Sequence, residues 1–255
     1  MRGVGMNLKD FDKIFCLVSG GMDSTYLYDK LKKSYGSKVY PVNCYIPYET
    51  SETLNQIAKD PNFIQIKPAE GLNYGEILKE AFLKLPEARK LKKKGKYHKK
   101  IFRCCYYIKH KAFLKDPLFQ EENTVVISGI KRGDGTQRRI WLTQLGQGRE
   151  PCNQSEGKPT FFHKHKSGQL YCYPFRDYKW RELPDICIRR LRKKYPNLDH
   201  SGCELCPVLV LFNIKSEKER YKKSLEYASK LGVLEQHLIS EYLSNPIKYG
   251  EQEEI

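Results

Sequence analysis

The stretch LVSGGMDST, residues 17–25, closes an apolar run, KIFCLV (13–18), and leads into a segment of helical spacing. A strand, a tight turn and a helix are written there in succession. Gly20 and Gly21 permit backbone conformations that other residues resist. Ser19, Asp23 and Ser24 are short polar residues favoured at helix starts. Backbone N–H groups at a helix N-terminus, with the helix dipole behind them, bind anions such as phosphate. The turn lacks the Gly-Lys-Ser/Thr ending of a P-loop, so it does not read as that of a GTPase or kinase. Asp23, by its charge, is a candidate for placing a divalent cation on bound phosphates.

Working outward, TYLYDKLKKSYG (25–36) has Tyr26, Leu27 and Leu31 on one helical face and ends at Gly36. KVYPVNCYI (38–46) reads as a second strand and SETLNQIAKD (51–60) as a helix capped by Ser51. FIQIKP (63–68) is a third strand, and TVVISGI (124–130) is a buried one that runs into the polar loop GIKRGDGTQRR (129–139). This alternation predicts an α/β fold: a doubly wound, mostly parallel sheet with helices on both faces. Residues 143–170 read as irregular, with room for an insertion or hairpin. A helix starting near Pro184 is expected within 179–196. SEKERYKKSLEYASKLG (216–232) is a helix with a Ser216/Glu219 capping box, stopped by Gly232. The expected division is a nucleotide-binding α/β core over 8–145 and a cysteine-rich, mainly helical part over 146–255, the two forming one continuous unit.

The 255 residues are 40% hydrophobic and 30% charged, a globular balance, and long enough to bury a substantial core. No run of about 18 uncharged apolar residues is present and the N-terminus lacks a signal-peptide core, so neither a membrane span nor export is expected, and the cytoplasm is the default. The net charge of +16 suits a polyanionic partner. Twelve lysines and arginines lie between residues 86 and 115 against the single acid Glu87, with Tyr97, Phe102, Tyr106 and Tyr107 among them. That mixture serves nucleic-acid backbone contacts and base stacking, or equally a solvated lysine-rich face. His98, His163 and His165 read as surface residues.

Nine cysteines, at 16, 44, 104, 105, 152, 172, 187, 203 and 206, are an odd number and argue against a disulfide framework. Cys104 and Cys105 are adjacent, and Cys203 and Cys206 form a C-x-x-C. Four thiolates suit zinc or an iron–sulfur cluster. Neighbouring cysteines strain to bind one tetrahedral ion but can reach two irons of a cubane. The adjacency therefore favours [4Fe–4S] over zinc.

SGGMDS resembles the PP-loop of the ATP pyrophosphatase superfamily, S-G-G-x-D-S, matching at Ser19, Gly20, Gly21, Asp23 and Ser24. CCYYIKHKAF, GIKRGDGTQRR, YPFRDYKW and SGCELCP follow in order. Together they are similar to the phosphoadenylyl-sulfate and adenylyl-sulfate reductase family within that superfamily, over roughly residues 13–230. The resemblance implies an adenine nucleotide alpha hydrolase-like fold and a pyrophosphate held at the turn. It implies Cys104, Cys105, Cys203 and Cys206 as cluster ligands, and Lys109, Lys131, Asp134 and Arg138 as groups gripping the anionic substrate. Lys131 stands where the family has arginine, Asp134 for glutamate, Gly135 for serine and Tyr178 for tryptophan.

Sulfonucleotide reductases use a late cysteine as nucleophile, and this chain has no cysteine after Cys206. Reductases also tend to have eroded PP-loops, whereas this one is intact. The expectation is therefore an enzyme that uses ATP and Mg²⁺ to adenylate a substrate for sulfur transfer, with nucleic acid as acceptor and a partner protein supplying sulfur or electrons. Asp23, Lys109 and Arg138 are the expected catalytic residues; Ser19, Gly20, Gly21, Asp23, Ser24, Lys131 and Asp134 bind the nucleotide. Two alternatives stand beside it: a sulfonucleotide reductase with its nucleophile at Cys152, Cys172 or on another chain, and a non-catalytic iron–sulfur subunit that binds nucleic acid.

Overall fold

A computed structural model describes residues 7–45, 51–67, 72–97, 101–102, 104–105, 107, 113, 116–131, 142, 151–152, 160–164, 168–175, 183–196, 198, 203–214 and 218–234. The chain divides into two compact units, Met1–Tyr45 with Thr50–Lys67 and Ala112–Gly202, and Ile46–Glu49 with Pro68–Lys111 and Cys203–Ile255. This partition differs from the single cut at 145/146 expected from sequence. The chain leaves the first unit three times, at Ile46, Pro68 and Cys203, and returns to it at Thr50 and Ala112.

The first unit is α/β. Five strands run parallel: β1 (Lys13–Leu17), β2 (Val39–Cys44), β3 (Ile64–Ile66), β4 (Thr124–Ser128) and, past two intervening strands in sequence, β7 (Leu170–Cys172). β5 (Pro151–Cys152) and β6 (Thr160–Lys164) extend the sheet antiparallel, giving the order β3-β2-β1-β4-β7-β6-β5. The region read as irregular thus contains the hairpin that had been allowed for.

Strand alternation sends side chains to two apolar faces. Ile14, Cys16, Val125 and Ile127 face one way, with α1 (Met22–Tyr35) and α5 (Asp185–Lys194) contributing Leu27, Tyr28, Leu31 and Leu191. Phe15, Val42, Val126 and Ile66 face the other, where Phe119 meets Phe15 edge-on at 5.3 Å between ring centroids. Burial on both faces is the usual condition of a parallel sheet. It explains why these strands read as unbroken apolar runs. α2 (Glu52–Ile57) begins at Ser51, whose hydroxyl accepts from the Leu54 N–H at 3.2 Å.

The second unit is helical among its described residues. α3 (Tyr74–Leu83) is capped by Asn73 and is followed directly by α4 (Leu85–Lys93), with Lys84 between them. α6 (Pro207–Phe212) and α7 (Lys218–Lys230) complete it. Their core joins Phe82, Leu85, Ala88, Leu209 and Leu225, and Phe82 packs edge-on against Tyr227 at 4.9 Å.

Candidate functional site

The strand order reverses direction between β1 and β4. In open α/β sheets that switch point, at the carboxyl ends of the strands, is where ligands bind. The SGGMDS turn follows β1 there, and Gly129 to Lys131 follow β4.

Gly20 takes φ +76°, a conformation that side chains resist. A Cβ on Gly20 would stand 2.1 Å from Ser51 Oγ, so α2's cap and the turn are packed backbone against side chain. Gly21 is the N-cap of α1 in extended conformation. The Ser24 hydroxyl closes the turn: it donates to the Gly21 carbonyl at 3.0 Å and accepts from the Ser19 N–H at 3.2 Å. Ser19 Oγ lies 3.1 Å from Ser24 Oγ. Buried Asn43, at the end of β2, donates to the Val18 carbonyl at 2.9 Å and fixes the strand's exit. The first N–H groups of α1 have no acceptor within their own helix, as at any helix start.

Lys131 reaches this turn from 108 residues away, its Nζ donating to Asp23 Oδ2 at 2.7 Å. The lysine is buried, while the Asp23 side chain is 30% exposed. Gly129 passes behind, where a Cβ would sit 3.5 Å from the Asp23 carbonyl and the Ser24 nitrogen. Ser19, Gly20, Gly21, Asp23, Ser24 and Lys131 are thus brought together. Lys109, Asp134 and Arg138 lie outside the described residues. Asn43, Ser51 and Gly129 were not expected at this site. Ser51 was visible as a helix cap, but nothing in sequence tied it to Gly20.

The four expected metal ligands all fall in the second unit. Cys104 is buried in its core, with Cys105, Cys203 and Cys206 partly buried against the same apolar cluster. The interaction with Cys105, then burial, pushes the Cys104 thiol far above the usual range. Burial, then Cys105, raises Cys206, against the pull of the Leu209 and Val208 amides and of Arg220. Tyr97 joins this cluster, its ring 5.2 Å from that of Phe212; burial, then Cys206 and Cys104, raise its hydroxyl. The donor set of four soft thiols in apolar surroundings fits a thiolate-bound centre. Among the described residues no three His, Cys, Asp or Glu side chains converge closely enough to hold a single ion.

α7 lies behind the C-x-x-C. Arg220 Nε donates to the Cys203 carbonyl at 3.0 Å, and Ser224 Oγ accepts from the Cys206 N–H at 2.9 Å. In the first unit, Cys16, Cys44 and Cys172 are buried in the apolar core, where a thiol acts as a small hydrophobe. For Cys172 this speaks against an exposed nucleophile. The side chain of Cys152 lies outside the described residues.

No family model matches the chain, and no curated protein matches it. Among solved structures it is similar to the U34-tRNA thiolase NcsA from Methanococcus maripaludis with its [4Fe-4S] cluster, at 11% identity and a TM-score of 0.35, over 91% of this chain and 76% of that one. Among the described residues no helix is long and apolar enough to cross a membrane.

Proposed function

We propose that the chain is a PP-loop adenylating enzyme carrying a [4Fe–4S] cluster, which uses ATP to activate a nucleic-acid acceptor for sulfur transfer. The observation that carries this reading is the junction of the intact S-G-G-x-D-S turn with Lys131 at the sheet's switch point. ATP's pyrophosphate would lie on the turn's N–H groups and the Ser19 and Ser24 hydroxyls. Lys131 holds Asp23 in place before nucleotide arrives. Once phosphates are bound, Asp23 is the group to hold Mg²⁺ on them, and Lys131 stabilises the charge that grows as the bond breaks. An acceptor oxygen attacks the α-phosphorus, the bond to the bridging oxygen breaks, and pyrophosphate leaves with its electron pair. The acceptor now carries AMP, a good leaving group, which a sulfur nucleophile from a donor protein displaces.

Cys104, Cys105, Cys203 and Cys206 would hold the cluster. When bound, it supplies an iron–sulfide surface able to carry sulfur or electrons. A zinc ion at about 2.3 Å from each thiolate would need sulfurs roughly 3.8 Å apart. The adjacency of Cys104 and Cys105, which strains a single tetrahedral site, suits a larger inorganic core. The reducing cytoplasm is the compartment that keeps such thiols available.

Nucleic acid as the acceptor is supported by the charge. Lys90, Lys93, Lys94 and Lys96 are exposed in and after α4, and Arg189, Arg190, Arg192 and Lys193 are exposed on α5. The test is anaerobic incubation with labelled ATP and RNA or DNA oligonucleotides. Pyrophosphate and AMP should form only when acceptor is present. Asp23→Ala should lower that turnover by about 10²–10³-fold with an unchanged circular dichroism spectrum. Full turnover in this variant overturns the reading. Sulfite released from adenylyl sulfate with thioredoxin would identify a reductase instead. Nucleic-acid binding without pyrophosphate would identify a binding subunit.

A further inference from the structure

We infer that α7 is the template that sets the C-x-x-C segment for metal binding, with Arg220 and Ser224 as its positioning residues. The inference rests on the reading of Cys203 and Cys206 as ligands and deepens it. Residues 220, 223 and 224 share one face of a helix, and each touches the segment Cys203–Cys206. Arg220 Nε donates to the Cys203 carbonyl at 3.0 Å. Lys223 Nζ pairs with Glu204 at 2.6 Å. Ser224, fully buried, accepts from the Cys206 N–H at 2.9 Å and donates to the Arg220 carbonyl at 2.6 Å.

The weights of these contacts differ. Lys223–Glu204 is a surface pair and contributes little. The other two satisfy backbone groups of the two cysteines themselves, so they fix where each Cα–Cβ bond starts. Ser224 donates its own proton to the Arg220 carbonyl one turn back at 2.6 Å, with the Glu204 carbonyl a second acceptor at 3.4 Å. Its lone pair is thereby aimed at the Cys206 N–H. Arg220 adds a second effect: the hydrogen bond to the Cys203 carbonyl holds its positive charge beside the C-x-x-C. A fixed cation beside thiolates offsets the cost of gathering several negative sulfurs in an apolar setting. Partners that orient ligating residues are worth about 10–100-fold in metal affinity, and these two act through the cysteines' backbone groups.

The experiment loads the full chain anaerobically with ferrous iron and sulfide. It measures iron content, the rate of iron loss to a chelator, and the reduction potential, for wild type, Arg220→Gln, Arg220→Lys and Ser224→Ala. Arg220→Gln and Ser224→Ala should each lose iron about tenfold faster or more. Arg220→Gln should also have a lower reduction potential, because a cation beside the centre favours the reduced, more negative state. Arg220→Lys should restore the potential, a response that a merely structural arginine would not give. If Arg220→Gln or Ser224→Ala folds and keeps wild-type retention, or if Arg220→Gln keeps the wild-type potential, the inference is overturned. Thermal unfolding of the metal-free proteins identifies a variant that does not fold, and Ser224→Ala then carries the test in place of Arg220→Gln. A wild-type chain that takes up no iron–sulfide core sinks the reading of the cysteines instead, so the two failures are distinguishable.

Discussion

Gly20 is held from two sides. Its φ of +76° costs a side-chain-bearing residue about 1–2 kcal/mol, and a Cβ would collide with Ser51 Oγ at 2.1 Å and Ser51 Cβ at 2.9 Å. Relief of the clash would displace the hydroxyl that caps α2, a further loss of about 1 kcal/mol. Gly20→Ala should therefore destabilise the protein by about 2–3 kcal/mol and weaken nucleotide binding. The steric part can be separated from the conformational part. In Gly20→Ala/Ser51→Gly the clash is gone and the φ penalty stays, so chemical denaturation should show the double variant losing less than the sum of the singles. Strict additivity would show that the turn and α2 are not packed as described. The same site makes Lys131 distinctive: removing Asp23 takes a 2.7 Å ion pair from a buried ammonium. Asp23→Ala should consequently cost stability as well as turnover, and its melting temperature should fall by a few degrees.

At the scale of elements, α1 is clasped to the turn after α2 by Asp60. Its carboxylate accepts from Tyr28 Oη at 2.6 Å, from Lys32 Nζ at 3.0 Å and from the Asn62 N–H at 2.9 Å. Burial opposes its charge, yet the bonds from Lys32, Tyr28 and Asn62 prevail and hold it below the usual carboxylate range. A depressed folded value means that this stability is present above about pH 4, the unfolded value, and is lost as pH falls through the folded one. Asp60→Asn should cost about 2 kcal/mol at pH 7, discounted for the part-exposed lysine, and the gap from wild type should close as pH falls towards 2. A gap of constant size in urea titrations would rule the clasp out.

None of these partners was legible beforehand, because each contact joins residues that periodicity treats separately. β1, β2 and β4 were legible: a strand buried on both faces shows as an apolar run, and the Gly-rich turn marks its end. β5 and β6 were legible only as room for a hairpin, since Pro151–Cys152 and Thr160–Lys164 are short and hold polar residues. α3 was missed and α4 was hidden in a lysine-rich stretch whose buried positions are only Leu85 and Ala88. Asp23 and the cysteines could be named from type and spacing. Their partners Lys131, Arg220 and Ser224 needed different routes: Lys131 came through resemblance, and Arg220 and Ser224 only through the fold.

At the scale of the whole molecule, a net charge of +16 has to be placed somewhere, and its placement is testable. On α5 the apolar side, Leu191, is buried with Tyr195 just beyond, while Arg189, Arg190, Arg192 and Lys193 stand exposed. The helix carboxyl end favours cations, which accounts for some of this charge, and Lys194 pairs with Asp29. The ion pairs among the described residues involve none of the other four. If nucleic acid is the acceptor, such cations displace counterions from phosphates, and log affinity falls with log salt by about 0.7 per contact on a single strand. Changing Arg189, Arg190, Arg192 and Lys193 together to glutamine should flatten that slope by up to about 3 for a labelled RNA oligonucleotide, with binding at low salt weakened. Exposed substitutions of this kind move stability by about 0.5 kcal/mol or less each, so a thermal melt separates lost contacts from lost fold. An unchanged slope would remove α5 from the nucleic-acid surface. A wild-type protein that binds no oligonucleotide at any salt concentration would leave the charge as a solvated coat and the acceptor as a small molecule.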